Sequence, residues 1–509
     1  MILRINGDLN RYYAQTLCML FFPGATFGER EIETGETPVI TFDITKGDGE
    51  VSAAATIRIG ETVSEGFDTA RKEECSSRAD LTKIAAGRAL FVAGKQLLGY
   101  KPPWGILTGI RPAKIAAGHM ADGNGILSTK RILRDEYFTN PKKAAIAVSV
   151  AANEQKLLKK LPENLCSMYI SIPFCPSRCA YCSFVSYTSK KLLSLIDEYL
   201  DTLCVDIVNM AKIIREQGFT VATVYIGGGT PTVLSVEQLT RLLTTVSECV
   251  DVEGLMEFTL EGGRPDTITA EKLKVAKKFG VTRISVNPQT LSDEILEKIG
   301  RRHTVEDFMR AYRIAEESGI RDINVDIIAG LPGDNYKNFS NTVDKIIDLN
   351  PTNITVHTFC VKKASDALRN DSNIYSPSSD DTAKGVEYSQ LRMKIAGYKP
   401  YYIYKQKNTV GNLENVGYSR EGHEGLYNIF MMEEIHSIFS VGAGAVTKLV
   451  VRDGDKISKL KRIFAPKYPY EYLRDATAIR CGDSNNGKPS IAERISEFFN
   501  PNGEDNENS

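Results

Sequence analysis

Residues 169–184 read YISIPFCPSRCAYCSF. A strand-like run, Met168 to Ile172, leads directly into Cys175, Cys179 and Cys182, a C-x3-C-x2-C array holding three of the chain's ten cysteines. Five more strand-like runs rich in β-branched residues follow: Val221 to Ile226, Met256 to Leu260, Arg283 to Val286, Ile323 to Ile328 and Ile354 to Phe359. Amphipathic helix-like stretches alternate with them, over Lys190 to Gln217, Ser235 to Cys249, Thr269 to Phe279, Thr304 to Glu317 and Tyr336 to Leu349. Ser235 with Gln238, and Thr304 with Asp307, have the form of capping boxes and mark two helix starts. Six strands alternating with helices predict a parallel α/β unit. A complete eightfold barrel needs about 250 residues and eight strands, so six units predict a partial (β/α)6 barrel with its chemistry at the carboxyl ends of the strands. The cysteine array stands at the first of those ends.

The chain has 509 residues, room for about three domains. Lys plus Arg is 63 and Asp plus Glu is 64, a net charge of −1, which argues against a dominant footprint for nucleic acid or an anionic membrane. Apolar residues at 42% and charged residues at 25% are globular values and exclude disorder as the main state. The amino terminus, MILRINGDLN, lacks a basic leader with an apolar core, and no run approaches the roughly 20 apolar residues of a membrane span. A cytoplasmic, reducing location is therefore expected, where clustered cysteines serve as ligands or redox groups. Residues 1–164 read as an N-terminal α+β domain, 165–365 as the barrel core, 366–482 as a C-terminal α+β extension, and 483–509 as a disordered tail with a short amphipathic piece near Ile491 to Phe499. In the extension, YKPYYIY, a glycine-interrupted run from Phe439 to Val450 and an edge hairpin around Arg452 to Asp455 read as strands.

Three chemistries compete for the cysteine array. A structural zinc site wants four ligands; one knuckle is present, no histidine lies nearby, and Cys166 is the available fourth thiolate. A redox pair would use Cys179 and Cys182 and leave Cys175 idle. A four-iron cluster held by three thiolates leaves one iron open to a cofactor.

The array resembles the radical S-adenosylmethionine superfamily. The surrounding residues, over about 165–360, are similar to the oxygen-independent coproporphyrinogen III oxidase (coproporphyrinogen dehydrogenase) family, and LTGIRPAK in the N-terminal block resembles its HemZ-type branch. The resemblance implies a radical S-adenosylmethionine barrel, a 4Fe-4S cluster on Cys175, Cys179 and Cys182, and S-adenosyl-L-methionine as second cofactor. It implies cofactor contacts for Tyr169, Tyr181, the GGGTPT run with Gly227, Gly228, Gly229 and Thr230, and for Glu261, Gln289, Arg301, Asp326 and Cys360. The residue types agree: glycines after a strand let backbone approach a ligand, and Glu261, Gln289 and Asp326 lie at or near strand ends, able to hydrogen-bond ribose hydroxyls and an amino group.

The implied reaction is oxidative decarboxylation of coproporphyrinogen III propionates to vinyl groups, giving protoporphyrinogen IX, with a porphyrinogen as substrate and a separate electron donor as partner. Arg302, Arg264 and Arg111 are the candidate partners of substrate carboxylates. One departure stands out: where the well-studied decarboxylases carry a fourth cysteine, this chain has Phe184. A related haem-chaperone branch shares that replacement, but its His-Asn-x-x-Tyr-Trp motif is absent from the comparable stretch, ENVGYSREGHEGLYN. An enzyme on coproporphyrinogen and a haem-trafficking protein are thus the two function classes. Among other groups, Gly442 to Ala445 reads as a close-packing or cofactor-edge turn, and His303 as a solvent-facing helix start. His423 and His436 read as packing groups ahead of haem ligands, and Trp104 as an anchor of the N-terminal domain.

Overall fold

The computed structural model describes residues 1–28, 36–159, 161–162, 164–182, 186–360, 380–406, 409–454, 456–474 and 489–500. The chain forms two compact units, one of Met1–Leu157, His357–Gln390 and Pro400–Val416, the other of Leu158–Val356, Leu391–Lys399 and Gly417–Ser509.

In the first unit, β1 (Ile2–Asn6), β2 (Val39–Lys46), β3 (Glu50–Ile59) and β4 (Thr62–Arg71) form a sheet in sequence order, with β1 parallel to β2 and the rest antiparallel. The helix Leu81–Leu98 is capped by Asp80 and ended by Gly99, and packs the small side chains Ala85, Ala86, Ala89 and Ala93 into the core with Ile40, Phe42 and Ile57. Contact is close enough that a Cβ on Gly66 of β4 would stand 2.1 Å from the Ala89 carbonyl, so only glycine fits there. Trp104 is fully buried, and its indole N–H donates to Glu414 Oε2 at 2.9 Å, which makes it the anchor expected.

The second unit is built on β5 (Leu165–Ile172), β6 (Thr220–Gly228), β7 (Glu257–Leu260), β8 (Arg283–Ser285), β9 (Asp322–Ala329) and β10 (Asn353–Thr358), in the order of the chain. The pairings from β5 to β9 are all parallel. This is the partial (β/α)6 barrel, and both capping boxes are present, on the helices Val236–Cys249 and Val305–Glu317. The long helix expected from Lys190 instead breaks at Ser194 and Leu195 into Lys190–Leu193 and Ile196–Glu216. Strands β11 (Lys399–Lys405), of the first unit but for Lys399, and β12 (Glu414–Ser419), whose residues are divided between the two units at Val416, follow in the chain. Then β13 (Ile438–Val441), β14 (Val446–Asp453) and β15 (Lys456–Phe464) add to the free side of β5. β13 runs parallel to β5, with Ser440 opposite Tyr169, so the last part of the chain extends the barrel's own sheet. The expected hairpin is the β14–β15 turn, with Gly454 at φ +55°.

The barrel's inner face is polar and layered. Ser167, Thr223 and Glu257 share one register level; Tyr169, Tyr225, Thr259 and Arg283 share the next. At its base, Arg283 pairs with Glu257 and Asp322, bonds Asn353 and donates to the carbonyls of His423 and Glu424. Leu426 N–H caps Glu257 at 2.7 Å, so the segment 423–426 closes that end. Among the described residues no helix is long and apolar enough to cross a membrane. A helix spans Ile491–Phe499, as the amphipathic piece predicts; most of the expected tail lies outside the described residues.

Candidate active site

The loop leaving β5 is laced to the loop leaving β6. Gly229 N–H donates to Ile172 O and Thr230 N–H to Phe174 O, both at 2.8 Å, and Thr230 Oγ1 lies 3.2 Å from Cys175 Sγ. The glycines are there because nothing else fits. A Cβ on Gly229 would stand 2.5 Å from the Phe174 carbonyl, one on Gly227 would stand 2.5 Å from Glu261 Oε2, and Gly228 holds φ +111°.

Cys175 is buried, and burial pushes its thiol up to about 11 against the opposing Thr230 hydroxyl bond. Cys179 and Cys182 are half-buried and close a turn through Cys182 N–H to Cys179 O at 3.1 Å. Among the described residues no three His, Cys, Asp or Glu side chains gather round one ion position. The donor set of the loop is three thiols without imidazole or carboxylate, which fits an iron–sulfur cluster better than a mixed-ligand zinc site. Cys166 is fully buried at the start of β5, roughly 20 Å of extended strand before Ile172, so it is no fourth ligand to the loop.

Around this loop the strand ends converge. Glu261, past the end of β7, accepts the Gly228 N–H at 3.3 Å; burial and then the nearby Asp326 push its carboxyl up to about 8. Asp326 accepts amide hydrogens from Asn287 and Asn324 at 2.8 and 2.7 Å. Gln289 adopts φ +70°, held by Gln289 N–H to Asp326 O and Ile328 N–H to Gln289 O, and its buried Oε1 has no hydrogen-bond partner. A strained residue presenting an orphaned acceptor, beside a glycine cradle and a neutral carboxyl, is a set of groups waiting for a ligand rich in donors. S-adenosylmethionine, with amino and ribose hydroxyl groups, fits that description. Buried Arg301 donates through Nε to Tyr181 OH at 3.3 Å and through Nη1 to Gly263 O at 3.4 Å, joining two of the predicted residues.

Several assignments are corrected. Arg264 is 3% exposed; its Nε and Nη2 form a bidentate pair with Asp266 at 2.9 Å each, and Nη1 donates to Ser177 Oγ at 2.9 Å and reaches Cys179 Sγ at 3.8 Å. Spent on the cysteine loop, it is not available for a substrate carboxylate. Burial pushes Asp266 up, but the hydrogen bonds and charge of Arg264 outweigh this and hold its carboxyl below the usual range. His303 is 2% exposed, not solvent-facing; burial, then the charges of Arg301 and Arg264, lower it to about 4, so it is neutral. Arg302 is exposed. Arg111 and Cys360 fall within the first unit's residues, Cys360 in an antiparallel bridge with Thr409, and keep their sequence-based assignments. Phe184 lies outside the described residues. His423 pairs through Nδ1 with Asp322, and buried His436 bonds Ser167 Oγ at 2.8 Å; both are packing groups. Gly442 to Ala445 is the close-packed turn: Ser171 Oγ donates to Ala443 O, and Tyr199 OH, donating to Ser171 O, accepts Ala443 N–H, each at 2.8 Å.

Sequence reasoning missed a tyrosine stack. Tyr169, Tyr225 and Tyr427 lie nearly parallel, with centroids 6.0 Å (Tyr169–Tyr225), 4.6 Å (Tyr225–Tyr427) and 6.3 Å (Tyr169–Tyr427) apart, near enough to Glu261 to feel its charge. Tyr225 stands two residues before Gly227, on the same face of β6, and was open to discovery by alternation. Nothing local singles out Tyr427.

Compared with known proteins, residues 169–346 match the family described as the Radical SAM superfamily. The chain is 37% identical over 377 residues to the oxygen-independent coproporphyrinogen-III oxidase-like protein HemZ of Bacillus subtilis, covering 74% of this chain and 75% of that protein. It is 32% identical over 282 residues to the heme chaperone HemW of the same organism, covering 55% of this chain and 70% of the chaperone. Its fold is similar to that of the coproporphyrinogen III oxidase HemN of Escherichia coli, a radical SAM enzyme, with a TM-score of 0.50 at 22% identity over 63% of this chain and 72% of that one.

Proposed function

The chain belongs to the radical S-adenosylmethionine superfamily, as a HemZ-like protein related to the coproporphyrinogen oxidases, and on that footing we propose that it oxidatively decarboxylates the propionates of coproporphyrinogen III to vinyl groups. What carries the reading is the strand-end constellation of Glu261, Gln289 with its unpartnered Oε1, and Asp326, set against the glycine run tied to the cysteine loop. Cys175, Cys179 and Cys182 would hold a 4Fe-4S cluster, and Tyr169, Tyr181, Gly228, Gly229, Thr230, Glu261, Gln289, Arg301 and Asp326 would bind S-adenosylmethionine. Bound there, the two supply a carbon radical able to take a hydrogen atom from an unactivated C–H bond.

The chain's own residues bind and orient. Arg264, clamped on Asp266 and Ser177, fixes the loop that carries Cys179. Gly227 and Gly229 let the loop after β6 pack onto Glu261 and the Phe174 backbone, Gln289 would accept a hydrogen bond from the ligand, and the Tyr169–Tyr225–Tyr427 stack holds the strand ends beside Glu261 in place. The haem-trafficking alternative draws on the chaperone relatives, which match less of the chain. His423 and His436, engaged by Asp322 and Ser167, weigh against it.

The test is anaerobic incubation of the reconstituted protein with coproporphyrinogen III, S-adenosylmethionine and dithionite. A vinyl-bearing product forming together with 5′-deoxyadenosine is expected; stoichiometric haem binding with neither product overturns the reading. Cys179→Ala is expected to lose the cluster, and retention of four irons with normal cofactor cleavage would refute the ligand set.

A further inference from the structure

Beside the cysteine loop lies a surface that the proposed reaction leaves unused. The Tyr187 carbonyl accepts the Cys175 N–H at 3.1 Å and its own N–H donates to Pro173 O at 2.8 Å, so this residue is bonded to the backbone of a loop cysteine. Its ring meets Tyr468 at 5.6 Å, Tyr468 stacks on Tyr470 at 5.4 Å, and its hydroxyl donates to Lys467 O at 3.3 Å. The Lys467 ammonium lies 5.8 Å from the Tyr468 ring and the Arg474 guanidinium 5.7 Å from the Tyr470 ring. Tyr468 and Tyr470 are 37% and 43% exposed. Arg178, exposed between Cys175 and Cys179, brings a third positive charge to bear on Tyr187. Glu471, a carboxylate beside them, accepts the Tyr468 N–H at 3.4 Å.

A chain with a net charge of −1 thus gathers three cations and three tyrosines where the cysteine loop meets solvent. Aromatic rings interleaved with arginine are the composition of a protein interface rather than of a solvated charged face. Positive charge at its rim attracts and orients an anionic partner. Resting on the cluster reading above, we infer that this surface docks a small acidic one-electron carrier protein. In the encounter the reduced carrier gives up one electron, which the cluster on Cys175, Cys179 and Cys182 gains; no atom or proton moves. Contact with the backbone of the cysteine loop itself favours such a carrier over an anionic lipid surface.

The experiment measures the Kd of the reconstituted holoprotein for flavodoxin, as an acidic probe, in about 20 mM and about 500 mM salt, where the screening length differs several-fold. Lys467→Glu with Arg474→Glu is expected to weaken low-salt binding about tenfold and to flatten its salt dependence. Tyr470→Ser, which changes no charge, is expected to weaken it about threefold through loss of one stacked ring. Dithionite-driven cleavage of S-adenosylmethionine should be unchanged in both variants. Equal affinity for wild type and both variants overturns the proposal, as does binding to phosphatidylglycerol vesicles without binding to flavodoxin. Failure of wild type to cleave the cofactor with dithionite would instead strike the cluster reading, while the flavodoxin Kd still decides the surface.

Discussion

Replacing Lys143 with methionine should destabilise the first unit by about 3–5 kcal/mol, the cost of leaving one partner of a buried ion pair uncompensated. The Lys143 ammonium lies 2.5 Å from Glu414 Oε1, and the two side chains are 2% and 0% exposed. Glu414 also accepts from Gln390 Nε2 at 2.6 Å and from the Trp104 indole at 2.9 Å. With the ammonium removed, two neutral donors and the more distant charge of buried Lys405 would remain beside a buried carboxylate, and together they do not replace its hydration and its direct ion pair. The chain's single tryptophan belongs to this cluster, so its fluorescence reads the cluster's unfolding without any label. For a urea slope of about 2 kcal/mol/M, a loss of about 4 kcal/mol lowers the fluorescence midpoint by about 2 M. Adding Glu414→Gln to Lys143→Met removes the stranded charge and should recover most of that shift. A single-variant shift below about 0.5 M, equivalent to about 1 kcal/mol at that slope, would refute the account. So would a double variant no more stable than the single one.

Two further outcomes follow from the second unit. The folded Glu261 carboxyl, pushed to about 8, stands above its usual 4.5, so its neutral form is the favoured one. Stability from this group is therefore full below pH 4.5 and lost as pH rises through 8. Glu261→Gln should gain on wild type across that window by about 1–3 kcal/mol, reduced from the full shift because the side chain is only half-buried; thermal melts of the ligand-free proteins that keep a constant gap from pH 5 to 8 would contradict it. Arg264→Gln gives up the fork that holds Asp266 and the cysteine loop, and should reconstitute with less than half the wild-type iron and sulfide. Full metal content in that variant would show that the clamp is dispensable.

Much of this molecule is written locally. The six strands of the barrel, both capping boxes and the placement of Cys175, Cys179 and Cys182 at the end of β5 follow from short-range period, cap chemistry and the rule that parallel α/β sheets react at their carboxyl ends. Glycines 227–229 were legible only in part: a glycine run straight after a strand implies either backbone approach to a ligand or a tight turn, and what stands 2.5 Å from a Cβ built on Gly229 is the chain's own Phe174 carbonyl, the packing of the turn.

What local pattern could not settle is which distant group each polar side chain would find. Arg264 and a substrate-binding arginine look identical in sequence; the difference is Asp266 and Ser177, and Ser177 lies 87 positions away. His303 follows two arginines, as an exposed residue would, yet it is buried and neutral against the folded site. Tyr427 joins the stack because residues 423–426 close the base of the barrel, and β13 reaches β5 across more than half the chain. The sequence by itself determined the strand-and-helix rhythm and the ligand loop, since those depend on neighbours a few residues apart. The tertiary structure decided which charges are spent on architecture and which are left for chemistry, because a buried polar group takes its role from the partner that folding brings to it.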